Sequence, residues 1–451
     1  MRRDGGAAAL LLATVAVALV ALSLIRGRND LLPGASPAPA TGDVGAPIEG
    51  PWEAVAWQVV AAPFPAGDPP ATRIDGLVAG NSRALGWGRV GAPGRNDFND
   101  FAGIFVTADG RGWRSVALDG GVAPPDTSEV YRVAAGPAGW LAFGSVCCTA
   151  EEGPAIWTSA DGLDWTRRPI EGDIDATATL GDAVGTAEGW LIVGGSGGEA
   201  AIWSSDDGQT WEAVDLEAAG LGPGGLWDVA VANGQLLAVG TVDDAAGTHD
   251  GAIFASDDGL AWRRVAADDP TLTGPDEEEL VRVATFDGGV FVVGNHGTHE
   301  ERVQCEQLLG AVAGLDGAPA PDRSALSCGW GREHHWLSAD GESWRRLAPL
   351  DPLPGEPIDR RVRPLEFRLL ASGGPGLVNL AEDRRAPEGD SGLWTSVDGR
   401  AWEPVDTFGP VRPNAGTSGF AILGAGVIAI GDVGEAGGWK PAIWTGQIGV
   451  P

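Results

Sequence analysis

The chain has 451 residues, with 62 Asp and Glu against 30 Lys and Arg and a formal net charge of −32. That balance excludes a nucleic-acid binder, because phosphates need clustered basic side chains. Gly at 71 and Trp at 19 are both high, which points to a repeated structural unit that has to be found before domains are counted.

The N-terminus comes first. Arg2 and Arg3 precede an uncharged run of 21 residues, Gly5 to Ile25. Such a run can span a bilayer as one helix and exceeds the usual signal-peptide core. No small-x-small cleavage site follows it. Residues 1–28 therefore read as a transmembrane signal-anchor with its N-terminus inside, a cleaved signal being the alternative. On either reading the remainder lies outside the cytoplasm, held at the cell surface or secreted. Residues 29–50 are rich in Pro, Ala and Gly and read as a tether. The four cysteines suit an oxidising compartment. Cys305 and Cys328 flank one loop and form the natural disulfide. Cys147 and Cys148 are adjacent, which allows either a vicinal disulfide or two free thiols.

From residue 51 to 451 one pattern recurs: Ser/Thr-x-Asp-Gly-x-x-Trp, as in "TSADGLDW" (158–165) and "SSDDGQTW" (204–211). Its aspartates are Asp109, Asp161, Asp207, Asp258, Asp340 and Asp398, and its tryptophans Trp113, Trp165, Trp211, Trp262, Trp344 and Trp402. A short carboxylate can accept turn amides, Gly supplies a positive φ, and Trp begins a strand with a large apolar surface. Alternating apolar runs such as "GWLAFGSV" (139–146) and "GVIAIGDV" (426–433) precede the turns, and a further strand-like run precedes those. Four short strands per repeat make a propeller blade. Ile443-Trp444-Thr445 matches the strand before the turn and then loses the Asp, while "PWEAVAW" (51–57) copies "WEAVDL" (211–216). Trp52, with Trp57 as the alternative, is therefore expected to start an outer strand that closes the last blade and removes exposed sheet edges. The expected fold is an all-β, seven-bladed β-propeller of four-stranded antiparallel blades, preceded by one transmembrane helix; six or eight blades are the alternatives.

The six in-phase turns resemble the Asp-box (BNR) repeat propellers, a group that includes sialidases, sortilin-type receptors and photosystem assembly factors. The resemblance covers nearly all of residues 52–451. It implies a sialidase-like fold and a scaffolding role for the six Asp and six Trp residues. It does not extend to the sialidase catalytic set, which needs a late tyrosine nucleophile. The single tyrosine, Tyr131, lies early in the chain, and "TRID" (72–75) carries Asp75 where that family places Pro.

In a four-stranded meander the first and third turns share one rim, so function is expected on the other, which carries the longer connections. All five histidines fall on the fourth and fifth repeats. His296, His299 and His334, with Glu300 or Glu333, form a candidate zinc site, against a plain solvated loop base. Arg360, Arg361, Arg363, Arg384 and Arg385 are candidate ligand-binding residues for an anion, against simple balance of an acidic face. "DEEEL" (276–280) reads as a solvated edge. No cofactor beyond that zinc is expected. The expected function is a membrane-anchored, monomeric binding or scaffold module for a protein, peptide or glycan. The alternative is a glycosidase that uses paired carboxylates.

Overall fold

A computed structural model describes residues 55, 57–60, 63–64, 71–91, 101–118, 127–147, 153–216, 219–220, 222–244, 247–274, 276–304, 332–348, 369–371, 376–383, 390–404, 415–435 and 438–447. The chain divides into two units, Met1–Pro47 and Ile48–Pro451, and every described residue belongs to the second. The expected transmembrane segment and tether lie outside the described residues. Among those described, no helix is long and apolar enough to cross a membrane.

The fold is all-β, a β-propeller of antiparallel sheets. Seven sheets are present among the described residues. The first comprises Ala71–Gly80, Arg83–Val90, Phe101–Thr107 and Trp113–Ala117. The fifth comprises Glu277–Phe286, Gly289–Gly297, Arg332–Ser338 and Arg345–Arg346. The first six sheets run in chain order from their first strands, and the third adds Glu171–Gly172 as a parallel outer edge. The middle strands are buried on both faces and read as near-continuous apolar runs, as in Leu141, Ala142 and Phe143 or Leu237, Ala238 and Val239, all inaccessible to solvent. First strands of successive sheets pack on one another from the first sheet to the fifth and from the sixth through the seventh back to the first, while the fifth sheet's first strand meets the second strand of the sixth.

The seventh sheet shows how the ring closes. Three of its strands, Ala415–Leu423, Gly426–Glu435 and Gly438–Gln447, come from the C-terminal end, and the fourth is Gln58–Val59. Val59 lies opposite Trp444 and Gln58 opposite Thr445. In each other sheet the third-strand aromatic lies opposite the residue two places after the outer-strand Trp. Phe105 faces Ser115, Trp157 faces Arg167, Trp203 faces Ala213, Phe254 faces Arg264, Trp336 faces Arg346 and Trp394 faces Pro404. By that register Trp57 is the seventh outer-strand tryptophan. The expectation of Trp52 is corrected; Trp52 itself lies outside the described residues. Val55 is buried beside Gly446, ahead of the closing strand.

The aspartate turns form a uniform set. Asp109 Oδ1 accepts the amides of Arg111 and Gly112 at 2.8 and 2.9 Å, and Asp340 Oδ1 those of Glu342 and Ser343 at 2.9 and 2.8 Å. Asp161, Asp207, Asp258 and Asp398 each accept the corresponding two amides at 2.8–3.0 Å. The preceding Ser or Thr hydroxyl accepts the glycine amide, as in Gly110 to Thr107 at 2.9 Å. Trp113, Trp165, Trp262 and Trp344 donate Nε1–H back to the turn glycine carbonyl. Each turn also tucks against the preceding sheet. Gly162 faces Leu85, Gly208 faces Thr158 and Gly399 faces Leu337, while Gly110 faces Thr445 and Ile428 of the seventh sheet.

Two consequences are measurable. Gly110 has φ +74°, and a Cβ there would meet Thr445 Cγ2 at 2.9 Å, whereas Gly234 at φ +81° has open space around it. Both Gly→Ala changes cost the strain of a positive φ. Gly110→Ala should cost about 1–2 kcal/mol more in urea unfolding because of the crowded seam, and equal costs would contradict the contact between first and seventh sheets. Asp340, held down to about 2 by the Ser343 and Glu342 amides, has a folded pKa below its ordinary 3.8. Its charge therefore stabilises the fold above pH ~4, and that contribution fades as pH falls towards 2. The stability gap between wild type and Asp340→Asn should be present at neutral pH and close over that acid range.

Candidate functional site

Alternation of strand direction puts the first-to-second and third-to-fourth turns on one rim and the other connections on the opposite rim. On the aspartate rim, residues 81–82, 137–138, 233–234, 287–288 and 424–425 make two-residue turns. On the opposite rim the chain runs from Val90 to Phe101, from Gly297 to Arg332 and from Arg346 to Leu369 between strands. Two connections on that rim, Gly197–Gly198 and residues 436–437, are as short as any on the aspartate side.

The fifth sheet carries a dense ionisable cluster at this second rim. Three strand ends meet there: Glu278 opens the first strand, His296 ends the second and His334 opens the third. Glu278 lies directly opposite His296, and His334 opposite Gly294. The two imidazoles stack with centroids 4.4 Å apart and planes 15° apart. His296 Nδ1 is 2.7 Å from Glu278 Oε1, and His334 Nδ1 is 3.7 Å from the same oxygen. Arg346 Nη1 approaches that oxygen at 3.8 Å, and Asp276 Oδ2 lies 3.9 Å from His296 Nε2.

Glu278 is 4 % exposed and Glu277 fully buried, so this segment is not the solvated edge that its composition suggested. Burial pushes the Glu278 carboxyl up to about 7, against the pull of His296 and Arg346. Burial, with Arg346 next, lowers His334 to about 4, so its ring is neutral at physiological pH. Glu277 is pushed up by burial, but hydrogen bonds from Arg302 and His299 outweigh it and hold the carboxyl below its ordinary range. That second set rests on a helical turn at 299–304. Thr298 caps this turn: its amide donates to Glu301 Oε2 at 2.8 Å and its hydroxyl accepts the Glu301 amide at 3.3 Å, a reciprocal capping box.

The predicted metal set is therefore corrected. His296 and His334 come together, but His299 Nδ1 faces Glu277 Oε1 at 2.5 Å. Glu333 pairs with His335 Nε2 at 2.7 Å, and Glu300 accepts from Gln304 at 2.9 Å. Glu278 takes their place: among the described residues, Glu278, His296 and His334 form the group able to hold a metal ion, with one ligand atom each within 4.8 Å of the others. Arg360, Arg361, Arg363, Arg384, Arg385, Cys305 and Cys328 lie outside the described residues, as does Cys148. No disulfide is present among those described.

Two further features matter for chemistry. First strands of the first, second, third, fourth, fifth and seventh sheets carry a register shift midway. Just past it stand Arg132, Asp182, Asp228 and Arg282 in four neighbouring sheets. Asp228 Oδ2 accepts the Val283 amide of the next sheet at 2.8 Å, and Asp182 Oδ2 the Val229 amide at 3.4 Å. Asp182 keeps some solvent contact yet is enclosed by protein, and burial together with the like charge of Asp228 pushes its carboxyl well above the usual range. Tyr131 OH lies 2.6 Å from Ser145 Oγ within the second sheet. A depression of about 540 Å³ opens elsewhere, beside Arg167, Arg168, Ile174 and Asp175, and holds none of these groups.

Neither a family model nor a curated protein matches the sequence. Solved structures with a similar course include the β-propeller domain of the Trilobed protease from Pyrococcus furiosus, 10% identical over 85% of this chain and 97% of that one, with TM-score 0.45. Pyrococcus horikoshii acylaminoacyl peptidase is 8% identical over 84% of this chain and 52% of that one, TM-score 0.43. Trypanosoma rangeli sialidase is 11% identical over 85% and 55%, TM-score 0.36. The chain spans about half the length of the latter two. These are likenesses of course, and the fold described above stands on its own strand order and register.

Proposed function

We propose that the chain is a membrane-anchored, extracytoplasmic binding module, a seven-bladed Asp-box propeller that presents the rim opposite its aspartate turns to a protein, peptide or glycan. Residues 1–28 would hold it at the membrane, residues 29–50 would space it from the surface, and the ring would act as a monomer. The observation that carries this reading is the division of labour between the two rims. One is built from near-identical turns whose aspartates spend their hydrogen bonds on backbone amides. The other holds the long connections and the fifth-sheet cluster of buried ionisable groups. Varied loops on a rigid frame are the usual place for recognition.

A glycosidase draws no support from Asp182 and Asp228. Each accepts an amide of the neighbouring sheet, and both reach the Val229 amide, Asp228 Oδ1 at 3.0 Å and Asp182 Oδ2 at 3.4 Å. Glycoside hydrolysis needs carboxyls about 5 Å or more apart to admit a sugar carbon or a water.

The test is a cross-linked pull-down from membranes with the full-length chain. Replacing residues 305–331 by a short Gly-Ser linker should lower recovery of the partner by about tenfold or more, the weight of a lost hot spot. Leu260→Glu, at an exposed position on the aspartate rim, should leave recovery unchanged. The opposite pattern would move the working surface to the other face.

A further inference from the structure

We propose that Glu278, His296 and His334 bind one divalent transition-metal ion, of which zinc fits best, at the loop-rich rim of the fifth sheet. This inference stands apart from whatever partner that rim takes. Both Nδ1 atoms converge on Glu278 Oε1, at 2.7 and 3.7 Å. Bonds of about 2.0–2.1 Å to nitrogen and oxygen set tetrahedral ligand atoms about 3.3 Å apart, so the two separations bracket what a bound ion would impose. Two imidazole nitrogens and one carboxylate are a zinc-type donor set, softer than the all-oxygen shells that calcium and magnesium take.

A second observation points the same way. His334 Nδ1 and Glu278 Oε2 are buried polar atoms with no hydrogen-bond partner. Buried polar groups are almost always satisfied, so atoms left short in one cluster mark a missing partner. A cation held by this set gives His334 Nδ1 the partner it lacks. Asp276, 3.9 Å from His296 Nε2, stands where an outer carboxylate would orient that ring once Nδ1 is committed.

Arg346 is the competitor. Its guanidinium lies 3.8 Å from Glu278 Oε1 on a side chain that is 39 % exposed, so it can withdraw into solvent when an ion arrives. With three protein ligands and His296 25 % exposed, the fourth position opens towards the rim and takes water, the arrangement of an open zinc site.

The experiment uses the full-length chain, stripped with a chelator and then titrated with Zn²⁺, and with Co²⁺ for its visible d–d spectrum. One equivalent should bind, and the Co²⁺ form should show the intense bands of low coordination number. Glu278→Gln and His334→Ala should weaken binding by more than the about 10–100-fold that follows loss of an outer-shell partner. His299→Ala should bind as wild type, and Arg346→Gln at least as tightly. Near-UV circular dichroism checks the fold of each variant. If His334→Ala does not fold, the near-isosteric Glu278→Gln decides. Absence of a saturable single equivalent, or uptake that Glu278→Gln leaves unchanged, overturns the proposal. So does a His299→Ala loss as large as that of Glu278→Gln, because it would move the ligands onto the helical turn.

Discussion

The ring depends on one pairing, that of Gln58 and Val59 with Thr445 and Trp444. Every other sheet draws its strands from one continuous stretch of chain. The seventh does not, because its outer strand precedes the first sheet by sequence and joins the last by hydrogen bonds. This pairing covers the outer edge of Gly438–Gln447 and brings the last sheet to the four strands of its neighbours. It also fixes how the first and last sheets meet, and Gly110 against Thr445 and Ile428 repeats across that seam the contact made by Gly208 against Thr158 inside the chain. The seam is therefore built like any other.

The repeated turn works between sheets as well as within them. Its carboxylate gathers two amides that would otherwise face solvent unpaired, its glycine lets the backbone lie against the preceding sheet, and its tryptophan carries buried surface into the outer strand. Trp211 shows how much of this is packing: it is fully buried, yet its Nε1 has no hydrogen-bond partner. Apolar burial holds that ring in place without the indole hydrogen bond that Trp113, Trp165, Trp262 and Trp344 make. At the ring's centre the logic differs, for Asp182 and Asp228 tie neighbouring first strands together through amides exposed by the register shifts.

Much of the architecture was legible because the repeat is local: an acidic turn, a glycine and a tryptophan at fixed spacing announce a hairpin wherever they fall. The choice between Trp52 and Trp57 was not, since both sit in apolar, strand-like letters and only the pairing with Trp444 separates them. The site was half legible. His296 and His334 end and begin neighbouring strands, and their approach follows from that. Their acidic partner does not follow from counting. Paired outward from the turn at 287–288, an unbroken ladder sets Glu279 against His296, but the shift between Leu280 and Arg282 sets Glu278 there instead. A single extra residue in one strand thus decides which of three consecutive glutamates is buried beneath the histidines. His299 was misplaced for a related reason: the Thr298–Glu301 cap starts a helical turn that swings it towards Glu277.

The shared seventh sheet has a consequence for biosynthesis. At about 5–20 residues per second, Val59 emerges some ~20–80 s before Trp444. Through that interval the earliest strand has no mate, and the last hairpin, when it arrives, finds either its own N-terminal segment or an edge from a neighbouring molecule. Synthesis of this chain thus carries a built-in race between self-zipping and domain exchange. Crowding of nascent copies on one polysome would tilt that race towards linked dimers.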